Sequence, residues 1–176
     1  MNFTRIVCLD LEMCCWDDGR MPRTGEIIEI GVAELDLVKG EVLRGSQYLV
    51  RPDKDEISEF CTALTGHTAS VINEQGIPLA QALDNLVQTY GGTQTIYASW
   101  GRDDLTLLSE CRAKGIPYPF KEFLNLATLF RIKHRVVNQR FGHRKAMAMA
   151  GLNWEGPQHE GLSDARNLAR LATTFL

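Results

Sequence analysis

The chain has 176 residues, 44% of them hydrophobic and 23% charged, with a formal net charge of −3, a composition that excludes the disordered and fibrous classes. At this length roughly 70% of the unfolded surface can be buried, so a core forms without help from a metal or a disulfide. The mild net acidity excludes coating of nucleic acid by bulk charge, although six basic residues and no acid fall between Arg131 and Lys145.

The N-terminal stretch MNFTRIVCLDLEM sets an Asp and a Glu where a secretory leader needs an unbroken apolar core. No apolar run approaches the ~20 residues that span a bilayer. The five cysteines are odd in number and show no CxxC spacing, which points to reduced thiols acting as small hydrophobes. The adjacent Cys14 and Cys15 lack the rest of a tetrahedral zinc ligand set nearby. The expectation is a single domain over residues 1–176, cytoplasmic and with no membrane partner.

Arg5–Glu12 reads as a buried strand, with Ile6, Val7, Cys8, Leu9 and Leu11 apolar and carboxylates only at its C-terminal end. Glu26–Asp36 and Val42–Val50 continue as strands across a turn at Lys39-Gly40, giving a meander in which the first strand is central. From Ile57 the pattern is helical, interrupted at Thr65-Gly66, and over Leu79–Tyr90 the residues Leu79, Leu83, Leu86 and Val87 share one helix face before Gly91-Gly92 stops it. Thr95–Trp100 is β-prone and leads into a helix over Asp103–Lys114 that ends at Gly115-Ile116-Pro117. Phe123–Ile132 suits either a strand or a helix. Arg144–Ala150 is helical, and Ser163–Leu176 is a terminal helix capped by Ser163 or Asp164. Strands first and helices interleaved later predict an α/β fold, a mixed sheet flanked by helices.

Three acidic positions stand out. Asp10 and Glu12, two apart on one strand, leave the same face about 7 Å apart. Two such carboxylates repel unless a cation compensates them, and hard oxygen ligands favour Mg²⁺ or Mn²⁺. Asp103-Asp104 opens a helix directly after a strand, so one of the two can point back over the sheet edge, although acids at helix starts are ordinarily dipole partners. His159 lies five residues before Asp164 on the first turn of the last helix.

In their order these features carry a resemblance. The segments DLEMCCW (10–16), EIIEIGV (26–32), YLVRP (48–52), ISEFCTALTGHT (57–68), ASWGRDDLTLL (98–108), MAMAGLNWEG (147–156) and HEGLSDARNLARL (159–171) resemble the motifs of the DEDDh family of 3′→5′ exonucleases, within it the enhanced-RNAi and histone-mRNA 3′ exonucleases. The resemblance implies a ribonuclease H-like fold and release of nucleoside 5′-monophosphates from single-stranded nucleic acid with a free 3′ end, RNA ahead of DNA. It implies Asp10, Glu12, Asp104 and Asp164 as ligands of two Mg²⁺ or Mn²⁺ ions, Glu12 also contacting the terminal sugar, and His159 as general base. Asp104 is preferred to Asp103 because the family places two apolar residues three and four positions after the ligand, here Leu107 and Leu108. Met13 and Cys14 stand where the subgroup commonly has Ala-Thr and Leu11 where it often has Phe; with Trp100, Met13 and Cys14 are the expected contacts to the terminal nucleotide. The Arg131–Lys145 segment, with Phe141 in it, can track phosphates while an aromatic ring stacks on a base. A DNA exonuclease of proofreading type, or a catalytically silent nucleic-acid-binding module, are the alternatives.

Overall fold

The computed structural model describes residues 3–17, 23–137 and 141–176. Three strands, β1 (Arg5–Trp16), β2 (Arg23–Asp36) and β3 (Glu41–Leu49), form an antiparallel meander, and β4 (Ile96–Ser99) and β5 (Glu122–Asn125) add in parallel on the other side of β1. The sheet order is β3-β2-β1-β4-β5, so the first strand is central, as its apolar run predicts. Seven helices complete the described chain: α1 (Glu59–Thr65), α2 (Ala69–Gln75), α3 (Leu79–Tyr90), α4 (Asp103–Lys114), α5 (Leu126–His134), α6 (His143–Met149) and α7 (Gly161–Ala172).

Because successive side chains on a strand face opposite ways, β1 feeds two cores. Ile6 and Cys8 pack with Ala33 and Leu35 under α5, α6 and α7, through Phe130, Met147, Leu168 and Leu171. Val7 and Leu9 pack with Ile30, Val32 and Tyr97 under α3 and α4, through Leu83, Leu86, Leu107 and Cys111. Each fully buried leucine in these layers contributes roughly 2 kcal/mol. A third cluster joins Cys14, Cys15 and Ile28 to Cys61 and Ile72 of α1 and α2. All five cysteines are free and buried.

Several boundaries differ from expectation. β1 continues past Glu12 to Trp16, with register shifts against β2 between Glu12 and Met13 and between Met13 and Cys15. Phe123–Ile132 holds both elements it suits: β5 pairs with β4, and Asn125 then caps α5 by accepting from the Thr128 N–H at 3.0 Å. The last helix begins at Gly161, so Ser163 and Asp164 sit inside its first turn instead of capping it.

That start is set by a close approach. A Cβ at Gly31 would lie 1.9 Å from the carbonyl carbon of Gly161, so glycine at position 31 lets α7 cross directly on β2. Gly31 pairs in register with Asp10, and this crossing therefore brings the first turn of α7 over the acidic end of β1.

Candidate active site

Asp10 and Glu12 extend the β1 face that carries Ile6 and Cys8, past the point where apolar burial ends. Asp164, in the first turn of α7, comes down on them: one carboxylate oxygen from each of Asp10, Glu12 and Asp164 lies within 4.8 Å of the others. They floor a cleft of about 390 Å³ whose walls include Leu11, Trp100, His143, Arg144, Trp154 and His159.

The electrostatics follow from burial and crowding. Burial, joined by the charges of Asp103, Asp164, Glu12 and Glu29, holds the Asp10 carboxyl well above the ordinary carboxylate range. Burial together with Asp164, Glu29 and Asp103 pushes Glu12 up to about 8. Asp164 is pushed up to about 7, by burial first and then by Glu29 and Glu160, against the backbone N–H of His159. Such a group of acids binds protons or a cation in preference to standing fully ionised.

Of the two adjacent acids at the start of α4, Asp103 is the one whose charge reaches the cluster, bearing on both Asp10 and Glu12. Burial with the neighbouring Asp104 pushes its carboxyl up to about 6. This corrects the expectation for Asp104, which the structure does not bring to the cluster. Asp104 faces Arg102, which donates to it through Nε at 2.9 Å and through a terminal nitrogen at 3.0 Å. That pairing holds its carboxyl below the usual range, and Asp104 lines a separate hollow with Phe123 and Asn125. Leu107 lies three residues from Asp104 and four from Asp103, and both spacings fall on one helix face, so the apolar pattern alone does not separate the two acids.

The expected nucleotide contacts divide. Trp100 lines the cleft; its Nε1 donates to the Phe141 carbonyl at 3.3 Å and its ring stacks on His143 with centroids 5.3 Å apart. Met13 packs against the α3–α4 core, on the face opposite Asp10 and Glu12. Cys14 has no exposure and sits in the Cys61–Ile72 cluster, so neither residue lines the cleft. The reason is the irregular register after Glu12, which turns the β1 end into the α1–α2 core. His159 stands exposed at the cleft mouth with a left-handed backbone (φ 58°).

Of the basic segment, Arg144 reaches the cleft wall and donates to Gln158 at 3.0 Å, whereas Lys133 is tied to the Phe175 carbonyl at 3.1 Å. Arg140 lies outside the described residues. The sequence assigns His143 to the surface or to phosphate contact and gives Trp154 no role of its own, whereas the structure sets both in the cleft wall. Their rings meet edge to face at 5.0 Å in the cleft wall, and burial pushes His143 down to about 4, which keeps it neutral. Nothing in their spacing marks them. Glu29 escaped the sequence reading, although an acid flanked by Ile28 and Ile30 in an apolar strand is a visible anomaly.

The donor set consists of carboxylate oxygens, which suits a hard divalent cation such as Mg²⁺ or Mn²⁺. The mouse (Mus musculus) ERI1 exoribonuclease 2 is 31% identical over 196 residues, covering 97% of this chain but 28% of that protein, so the chain spans under a third of the relative's length. A solved full-length 3′-exonuclease superposes with a TM-score of 0.86 at 24% identity, over 98% of this chain and 81% of that one. The nuclease domain of 3′hExo, a DEDDh family member bound to rAMP, gives 0.82 at 24% identity, over 97% of this chain and 90% of that one. These likenesses establish the ribonuclease H-like fold. With residues 7–172 matching the exonuclease (RNase_T) model, the strand-end acids and the helix that closes over them have a family: the chain belongs to the RNase_T exonucleases.

Proposed function

We propose that this chain is a divalent-metal-dependent 3′→5′ exonuclease that removes nucleoside 5′-monophosphates from single-stranded RNA. The observation that carries the reading is the meeting of Asp10, Glu12 and Asp164 oxygens within 4.8 Å on the floor of a cleft walled by aromatic rings. Asp103, whose charge already bears on that group, completes a set of four carboxylates able to hold two Mg²⁺ or Mn²⁺ ions. When bound, such ions supply an activated water and stabilise the leaving 3′ oxygen.

The protein's own groups do the rest. The Trp100, His143 and Trp154 wall offers flat apolar surface to a terminal base. Arg144, exposed on the rim beside Gln158, suits a backbone phosphate. His159 takes a proton from the attacking water in this reading, which is supported by its place on a loop that lines the same cleft as the acids. RNA is favoured over DNA because the relatives matched over nearly all of this chain carry exoribonuclease names. Five free thiols suit a reducing compartment, and we place the protein in the cytoplasm. Among the described residues no helix is long and apolar enough to cross a membrane.

The test is a time course on 5′-labelled single-stranded RNA and DNA of one sequence, with Mg²⁺, Mn²⁺ or EDTA, beside the Asp10→Ala variant. A metal-dependent ladder shortening from the 3′ end of RNA, absent in the variant, is expected. Intact RNA in every lane with binding retained would replace this reading with a silent nucleic-acid-binding module, and a DNA-only ladder would replace the substrate.

A further inference from the structure

The helix that delivers Asp164 has no cap of its own. The side chain of Glu160, the residue before α7, is engaged by the Ser163 hydroxyl at 2.6 Å and bonds no backbone N–H of the first turn. Yet that first turn is buried against the sheet, where orphan N–H groups need an acceptor. The acceptor comes from another element. Glu29, in β2 and wholly without exposure, takes the Leu162 N–H on Oε1 at 3.0 Å.

Glu29 is in turn held from two sides. Gln47 of β3 donates to the same oxygen at 3.0 Å, and Nε2 of His67, from the loop between α1 and α2, meets the other oxygen. A carboxylate only accepts, so Nε2 is the protonated ring nitrogen in this pair. Glu29 also pairs in register with Glu12, and Gly161 packs against its carboxylate so closely that a Cβ there would lie 2.9 Å from Oε1. One side chain therefore touches the strand pair bearing Asp10 and Glu12 and the helix start two residues before Asp164.

We propose that Glu29, held by His67 and Gln47, is the positioning residue that sets α7 at the height where Asp164 meets Asp10 and Glu12, and so governs divalent-cation binding at that site. This rests on the reading of the acidic cleft as a metal-dependent exonuclease site. A buried carboxylate with three donors has one well-defined place, so the helix start it caps is fixed relative to β2. Loss of a donor lets Glu29 tilt or find other partners, and α7 then shifts with it. Outer groups that orient metal ligands typically change affinity or rate ~10–100-fold when removed.

The experiment measures Mn²⁺ binding by calorimetry without nucleic acid, then kcat and KM on single-stranded RNA, for wild type, His67→Phe, His67→Gln and Gln47→Ala, with circular dichroism as the folding control. His67→Phe is expected to weaken Mn²⁺ binding and lower kcat by ~10–100-fold with KM for RNA within about twofold, and His67→Gln, which keeps an N–H donor, to restore most of both. Gln47→Ala, at an exposed position that tolerates truncation, is expected to shift Mn²⁺ affinity the same way by roughly 2–5-fold. Folded variants with wild-type Mn²⁺ affinity and kcat would overturn the positioning role, and if His67→Phe does not fold, Gln47→Ala decides alone. Wild-type protein that neither binds Mn²⁺ nor cleaves RNA would instead overturn the exonuclease reading beneath it.

Discussion

Replacing Asp103 and Asp104 separately by asparagine isolates what the fold decides about the fourth carboxylate. Asp103 adds its charge to the field at Asp10 and Glu12, whereas Asp104 spends its charge on Arg102. Removing one carboxylate that would hold a metal ion against the reacting phosphate costs on the order of 3–4 kcal/mol, the size of losing one electrostatic stabiliser of the transition state. At about 1.36 kcal/mol per factor of ten, Asp103→Asn should therefore lose ~10²- to 10³-fold in kcat. The pair that Asp104→Asn breaks involves an Arg102 side chain 58% exposed, worth under ~1 kcal/mol, and the rate should stay within about twofold. A second consequence appears in EDTA. The Asp103 carboxyl, pushed up to about 6 by burial and Asp104, keeps its proton to higher pH in the folded chain than in the unfolded one. Stability is thus unpenalised below about pH 4, declines as pH rises through 6, and carries the full penalty at pH 7.5. Asp103→Asn should relieve roughly 1–2 kcal/mol of it, a Tm rise of ~3–6 °C for a chain of this size. A mutant that is dead yet more thermostable without metal is the expected signature. If Asp104→Asn loses the rate while Asp103→Asn keeps it, the placement of Asp103 at the cluster is refuted.

Other perturbations probe other links. His159→Ala removes an exposed side chain, so stability should change by less than about 0.5 kcal/mol while kcat falls ~10²- to 10⁴-fold; full rate at every pH would remove His159 from the proton-accepting role. Gly31→Ala would drive a methyl into the Gly161 backbone, and a loss of about 3 kcal/mol with abolished activity is expected by thermal melts and the RNA assay; an unchanged Tm would deny the close crossing. Burial opposes ionisation of Glu26, but Lys114 and the backbone N–H groups of Lys54, Asp55 and Asp53 outweigh it and bring its carboxyl down to about 2. Its contribution is present above about pH 4.5 and fades as pH falls toward 2, so Lys114→Met should cost roughly 2 kcal/mol at pH 7 and much less at pH 3 in urea melts. A gap that does not narrow with acid would contradict the pairing.

Much of this site is legible along the chain. The D-x-E pair at a strand end, the H-x₄-D at the last helix and the central first strand all follow from local periodicity, because side-chain direction on a strand or helix repeats with fixed spacing. Leu79–Tyr90 and Asp103–Lys114 form helices with the bounds their apolar spacing predicts. Where two elements share one apolar run, as over Phe123–Ile132, periodicity cannot divide them; the pairing of β5 with β4 does.

The sequence by itself determined which residue types meet: carboxylates at strand and helix ends, with aromatic and basic residues between them. Only the tertiary structure decided which acid of Asp103-Asp104 turns inward, that Cys14 is sealed beneath α1 and α2, and that α7 is seated by Glu29, His67 and Gln47. Those outcomes depend on contacts between segments up to 133 residues apart, as in the Leu162 N–H to Glu29 bond. No local rule encodes such contacts, because a side chain's partner across the fold is fixed by how whole elements pack and which buried polar groups must then be satisfied.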